Sequence, residues 1–146
     1  MLGELDGQRV LDLFAGTGAL GIEALSRGAA SAVFVERDAR VAGVLGENLD
    51  ALGLGPELAQ IRRGDVAGAL RAARARKETY DLIFIDPPYR QAGQWGSALS
   101  TDLPPLLMAQ ARVVVESDRR APLGLELEIE RSRRYGDTSI TIHRQR

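Results

Sequence analysis

Asp12-Leu-Phe-Ala-Gly16-Thr-Gly18-Ala-Leu-Gly21 joins a short apolar run, Arg9 to Ala15, to an amphipathic one, Ala19 to Arg27. The junction reads as strand, glycine turn and helix, with Gly28 placed as the helix stop. Glycines spaced G-x-G-x-x-G let the backbone turn sharply and come close to a ligand. The start of the helix adds free N–H groups and the positive end of a dipole. The stretch therefore predicts a βα unit that either holds an anionic, nucleotide-like ligand or makes a tight turn without one.

Outward from it, strand-like and helix-like runs alternate. Ser31 to Arg37 reads as a second strand, and Asp38 as the N-cap of a helix whose apolar positions Val41, Val44, Leu45, Leu49 and Leu52 recur at helical spacing until Gly53. A third strand at Ala59 to Arg63 leads through Gly64-Asp65 into a helix from Val66 to Lys77. Tyr80 to Ile85 is almost wholly apolar, as a central strand is, and stops at Asp86-Pro87-Pro88, since proline cannot continue a central ladder. Tyr89 to Gln110 predicts a loop with one or two short helices, and Val113 to Glu116 a fifth strand. Alternation at Leu125, Leu127 and Ile129, and again from Ser139 to His143, predicts a closing hairpin. The expected fold is α/β: a doubly wound, mostly parallel, Rossmann-like sheet with a C-terminal antiparallel strand hairpin.

Composition narrows the chemistry. With 146 residues, 45% hydrophobic and 27% charged, the chain is expected to form one domain over 1–146. It has no cysteine and one histidine, His143, so disulfides, thiolate metal sites and histidine-rich zinc sites are excluded and no metal is expected. No apolar run approaches the roughly 18 residues of a membrane helix, and the amino terminus lacks the pattern of a signal peptide. A cytoplasmic protein without membrane contact, acting as a monomer, is expected. The net charge of −1 argues against a domain wrapped in nucleic acid. Yet Arg131, Arg133, Arg134, Arg144 and Arg146 make the carboxyl end locally basic.

In such sheets ligands bind beyond the carboxyl ends of the strands. Asp12 would repel a dinucleotide pyrophosphate but could bind an ammonium such as that of S-adenosylmethionine. Glu36, at the end of the second strand, could accept both ribose hydroxyls of an adenosine, in S-adenosylmethionine or in NAD. Asp65 could accept from the adenine amine while the Val66 N–H reaches a ring nitrogen; helix capping explains Asp65 as well. Phe14, Gly16, Gly18 and Arg37 complete the expected cofactor site. Asp86-Pro87-Pro88-Tyr89 is the strongest signal. The prolines fix the backbone, so that the Asp86 carboxylate and a proline carbonyl can grip the two hydrogens of a nucleobase amine beside the Tyr89 ring. Trp95 reads equally as an RNA contact or a packed loop anchor, and His143 as a surface residue.

Val10 through Gly28, Glu36, Asp65, Asp86-Pro-Pro-Tyr89 and Arg134-Tyr-Gly-Asp-Thr138 together resemble the RsmD family along essentially the whole chain. The resemblance implies a class I methyltransferase fold, S-adenosylmethionine as cofactor, and methyl transfer to the exocyclic N2 of a guanine in 16S rRNA or the small (30S) ribosomal subunit. It implies that Asp12, Gly16, Gly18, Glu36 and Asp65 hold the cofactor, and Asp86, Pro87 and Tyr89 the guanine. Eight residues precede Arg9, where family members carry a longer basic segment. The expectation is that this extension is absent, at a cost to cofactor retention and RNA affinity. Other readings are a DNA adenine- or cytosine-amine methyltransferase, an NAD-binding oxidoreductase, or an inactive cofactor- or RNA-binding relic. The first lacks room for a target-recognition domain, and the second leaves Asp12 and Asp86-Pro-Pro-Tyr89 without a role.

Overall fold

Each α/β repeat of the chain forms as its apolar periodicity directs. A computed structural model describes residues 2–88, 92–118 and 123–146, with residues 92–94 described by their backbone alone. In chain order the elements are β1 (Arg9–Asp12), α1 (Ala19–Ser26), β2 (Ser31–Glu36), α2 (Ala39–Ala51), β3 (Ala59–Arg63), α3 (Val66–Ala75) and β4 (Tyr80–Ile85). Then come α4 (Ala92–Asp102), a 3-10 turn at Pro104–Leu106, β5 (Leu107–Asp118), β6 (Glu128–Tyr135) and β7 (Thr138–Arg144). The strands form one sheet in the order β3-β2-β1-β4-β5-β7-β6. β1 to β5 run parallel, and β7 and β6 close the sheet antiparallel. This is the doubly wound sheet with a terminal hairpin.

Both faces of the central strands are buried, which is why they read as continuous apolar runs. Leu11, Ile83 and Val113 point into one cluster with Leu70 of α3 and Leu99 and Leu103 around α4. Their neighbours Val10 and Leu82 point into the other, with Phe34, Leu45 and Leu49 beneath α1 and α2. Two glycines of the opening motif serve this packing. A Cβ on Gly21 would overlap the Phe34 ring, and one on Gly18, whose φ is +95°, would overlap Leu45. Asp38 caps α2 as expected, accepting from the N–H groups of Arg40 and Val41.

The direction of winding reverses between β1 and β4. Asp12 ends β1 and Asp86 follows β4, so both carboxylates stand at the switch point, where such sheets bind their ligands.

Three strands and one side chain depart most from the sequence reading. β1 ends at Asp12 rather than Ala15, although the loop stays tied to its neighbours, with Leu13 N–H donating to Phe84 O at 3.1 Å and Ala15 N–H to Val35 O at 3.0 Å. β5 begins at Leu107, inside the expected loop, because a register shift against β4 between Tyr80 and Leu82 absorbs extra residues, with Gln110 at φ +66°. β6 starts at Glu128, after Leu125, and all its residues are exposed. His143 is not a surface residue: it pairs opposite Val113 on a covered face, 3% exposed, with Nδ1 3.2 Å from Leu127 O. Burial lowers its pKa.

Candidate functional site

The turn after β1 and the ends of β2, β3 and β4 surround a cleft of about 580 Å³. Phe14 and Gly16 come from the first turn, Glu36 and Arg37 from the end of β2, Asp65 and Val66 from the start of α3, and Asp86 and Pro88 from the end of β4. Most of the expected site is thus brought to one place. Asp12 and Gly18 are not part of its lining: Gly18 lies under the turn as the N-cap of α1, and Asp12 is buried behind it.

Glu36 is the organiser of the cleft. Its Oε1 accepts the Gly16 N–H at 2.9 Å, and its Oε2 accepts the Asp38 N–H at 2.7 Å. One side chain thereby ties the glycine turn to the β2–α2 turn. Each carboxylate oxygen carries a further lone pair that a hydroxyl in the cleft can use. Asp65 answers to both of its readings: it caps α3 through Oδ1, which accepts the Gly68 N–H at 2.6 Å, and it lines the cleft.

Asp12 is 1% exposed, and neither oxygen has a hydrogen-bond partner among the described residues. Burial is the main reason its pKa rises to about 7. Repulsion from Asp86 and Glu36 adds to this, and the backbone at Gly21 and Phe14 offsets it only in part. A buried carboxylate without partners is costly when ionised and favours a nearby cation.

Asp86 faces two cavities. Besides the cleft it lines, with Pro87 and Pro88, a second space of about 330 Å³ bounded by Glu116, Ser117 and Asp118 of β5 and Thr138 of β7. Asp86 and Pro88 belong to both linings, so they form a common wall. Burial, and after it the charge of Glu116, pushes the Asp86 pKa up to about 6. The expected stacking residue Tyr89 lies outside the described residues.

Asp38, Trp95 and Glu116 are among the residues of the site that were not assigned from sequence. Asp38 lines the cleft two places after Glu36. Trp95 of α4 lines it too, packed edge-on against Phe14 with ring centroids 5.5 Å apart at 75°, so it walls the cleft rather than anchoring a remote loop. Glu116 sits near the end of β5, and the rule of strand ends that singled out Asp12, Glu36, Asp65 and Asp86 would have found it.

Among the described residues no helix is long and apolar enough to cross a membrane, and no cluster of potential metal ligands occurs. The YlbH protein of Bacillus subtilis is 39% identical over 144 residues, covering 97% of this chain and 78% of YlbH. Ribosomal RNA small subunit methyltransferase D of Haemophilus influenzae is 36% identical over 115 residues, which is 77% of this chain and 58% of that enzyme. A solved structure of a conserved hypothetical protein from Streptococcus pyogenes superposes with a TM-score of 0.83 at 30% identity, covering 98% of this chain and 89% of the other. The family described as Conserved hypothetical protein 95 matches residues 1–144. The chain belongs to this family, which is the RsmD family that its motifs resemble.

Proposed function

We propose that this protein is an S-adenosylmethionine-dependent methyltransferase that modifies the exocyclic N2 of a guanine in small-subunit ribosomal RNA, as a single-domain monomer in the cytoplasm. The observation that carries the reading is the common wall: among the described residues, Asp86 and Pro88 line both a nucleoside-sized cleft and a second, smaller cavity. Methyl transfer needs that arrangement, because donor and acceptor must meet at a single point from two sides. The name of the Haemophilus influenzae relative supports ribosomal RNA as the substrate. An NAD-dependent reaction leaves the second cavity without a purpose.

The residues present fit the cofactor. Glu36 can accept from ribose hydroxyls, Asp65 and the Val66 N–H can address adenine, and the partnerless carboxylate of Asp12 supplies the charge an ammonium calls for. Phe14 and Trp95 give the cleft an aromatic wall. When bound, S-adenosylmethionine supplies an electrophilic methyl group on a sulfonium.

The chain's own part is orientation and charge. The Asp86 carboxylate and the Pro87 carbonyl accept the two N2 hydrogens, which turns the nitrogen lone pair out of conjugation with the ring and toward the cleft. Methylation leaves the nitrogen cationic and strongly acidic, so the proton departs after the new N–C bond has formed. With its pKa near 6, Asp86 is suited to receive it.

The test is labelled methyl transfer to unmodified small ribosomal subunits, beside calorimetric titrations with S-adenosylhomocysteine and NADH. Transfer into guanine and binding of S-adenosylhomocysteine are expected. Tight NADH binding without a response to S-adenosylhomocysteine would overturn the reading.

A further inference from the structure

β4 and β5 are parallel neighbours, with Ile85 opposite Val115. The next residue along each strand path is a carboxylate, so Asp86 and Glu116 emerge side by side at the sheet's carboxyl end. Both line the 330 Å³ cavity, and the charge of Glu116 is felt at Asp86. No hydrogen bond or ion pair engages either carboxylate among the described residues. Two adjacent like charges left unpaired are unfavourable in the free protein and become favourable when a ligand brings two adjacent donors.

The Watson–Crick edge of guanine does so. It presents N1–H and the N2 amine next to each other. Adenine and cytosine instead present an amine beside a ring nitrogen lone pair, and an ionised carboxylate can only accept. We propose that Glu116 is a specificity-determining residue: its carboxylate accepts the guanine N1–H while Asp86 holds the N2 amine, so the pair selects guanine among the amine-bearing bases. This deepens the guanine-N2 reading above and rests on it. A base with a lone pair at N1 would face Glu116 acceptor to acceptor, and sites that read a hydrogen bond reject such analogues far more strongly than apolar pockets reject a methylene.

The discriminating substrate is the small subunit carrying 2,6-diaminopurine in place of the methylated guanine. It keeps the N2 amine but has an N1 lone pair. Wild-type protein is expected to methylate guanine at least about tenfold faster than diaminopurine, and Glu116→Gln to bring the two rates within about threefold, since a glutamine amide can donate as well as accept. Glu116→Ala should also lose the preference. Affinity for S-adenosylhomocysteine, read by calorimetry, should stay at the wild-type value in both variants and so report an intact fold. An unchanged guanine preference in the two variants, or equal loss on both substrates, overturns the role of Glu116 while leaving the guanine-N2 reading in place. Absence of transfer by the wild type to either substrate overturns the guanine-N2 reading, and this inference with it.

Discussion

The carboxylate of Glu36 holds the backbone of Gly16, with Oε1 accepting its N–H at 2.9 Å across a sequence separation of 20 residues. A strand end thus shapes the glycine turn that follows a neighbouring strand, so cofactor cradle and turn geometry depend on one side chain. Glu36→Ala removes the acceptors for both Gly16 and Asp38. The expected result is a loss of about 1–3 kcal/mol in folding stability, from backbone donors left without their charged partner, and at least about tenfold weaker S-adenosylhomocysteine binding. Denaturant titration and calorimetry check the two parts, and Glu36→Gln should fall between.

Asp12 links stability to pH. Its folded pKa of about 7 lies above the ordinary value of 3.8, so the folded chain binds more protons than the unfolded chain between those limits. Stability contributed at this site therefore falls as pH rises from about 4 to above 7. Asp12→Asn should flatten the dependence and add up to about 4 kcal/mol at pH 8, measured by urea unfolding across pH.

The same carboxyl group should make cofactor binding release a proton. An ammonium beside Asp12 favours the ionised form, so S-adenosylhomocysteine is expected to bind more tightly at pH 8 than at pH 6. Calorimetry in buffers of different ionisation enthalpy should show fractional proton release near neutrality, absent in Asp12→Asn.

Asp86 accepts from an amine most strongly, and can take up the released proton, when it is ionised, so methyl transfer should rise with pH through a limb near 6. Asp86→Ala should lower the rate by about a hundredfold or more, with S-adenosylhomocysteine affinity nearly unchanged. Glu116→Gln should move the acidic limb to lower pH, because it removes the neighbouring charge that raises the Asp86 pKa.

Gly21 and Gly46 should respond in opposite directions to alanine. A Cβ at Gly21 overlaps the Phe34 ring, whereas at Gly46 inside α2 its nearest neighbour is Ile61 at 3.9 Å. Gly21→Ala is expected to cost about 1–3 kcal/mol by overpacking. Gly46→Ala should gain roughly 0.5–1 kcal/mol from helix propensity, both read by thermal and denaturant unfolding.

What could be read from the residues alone follows from how local each signal is. α2 carries a full helical stripe from Val41 to Leu52 with an aspartate cap and a glycine stop, and it forms where that pattern places it. Strand ends were legible where a glycine or proline stands close by, as Gly16 does after Asp12, Gly64 before Asp65 and Pro87 after Asp86, and at Glu36 because a charged run ends the apolar one. Non-local effects escaped. Leu125 and Leu127 alternate as a strand would, but they pack on the core ahead of β6, while Ile129 inside β6 is 61% exposed. The burial of His143 depends on its register opposite Val113, which no short window contains. Trp95 joined the cleft only once α4 had folded over Phe14.

β6 has a consequence for the behaviour of the molecule in a crowded cell. It is an outer strand of the sheet, with every residue exposed and, among the described residues, no strand paired along its outer edge. Such an edge is a template on which a second sheet can grow. Arg144 and Arg146 are neutralised by Glu130 and Glu128, but Arg131, Arg133 and Arg134 have no ion pair among the described residues. Two copies meeting edge to edge would set these three charges against three more, so the arginines weigh against the growth of a second sheet on this edge.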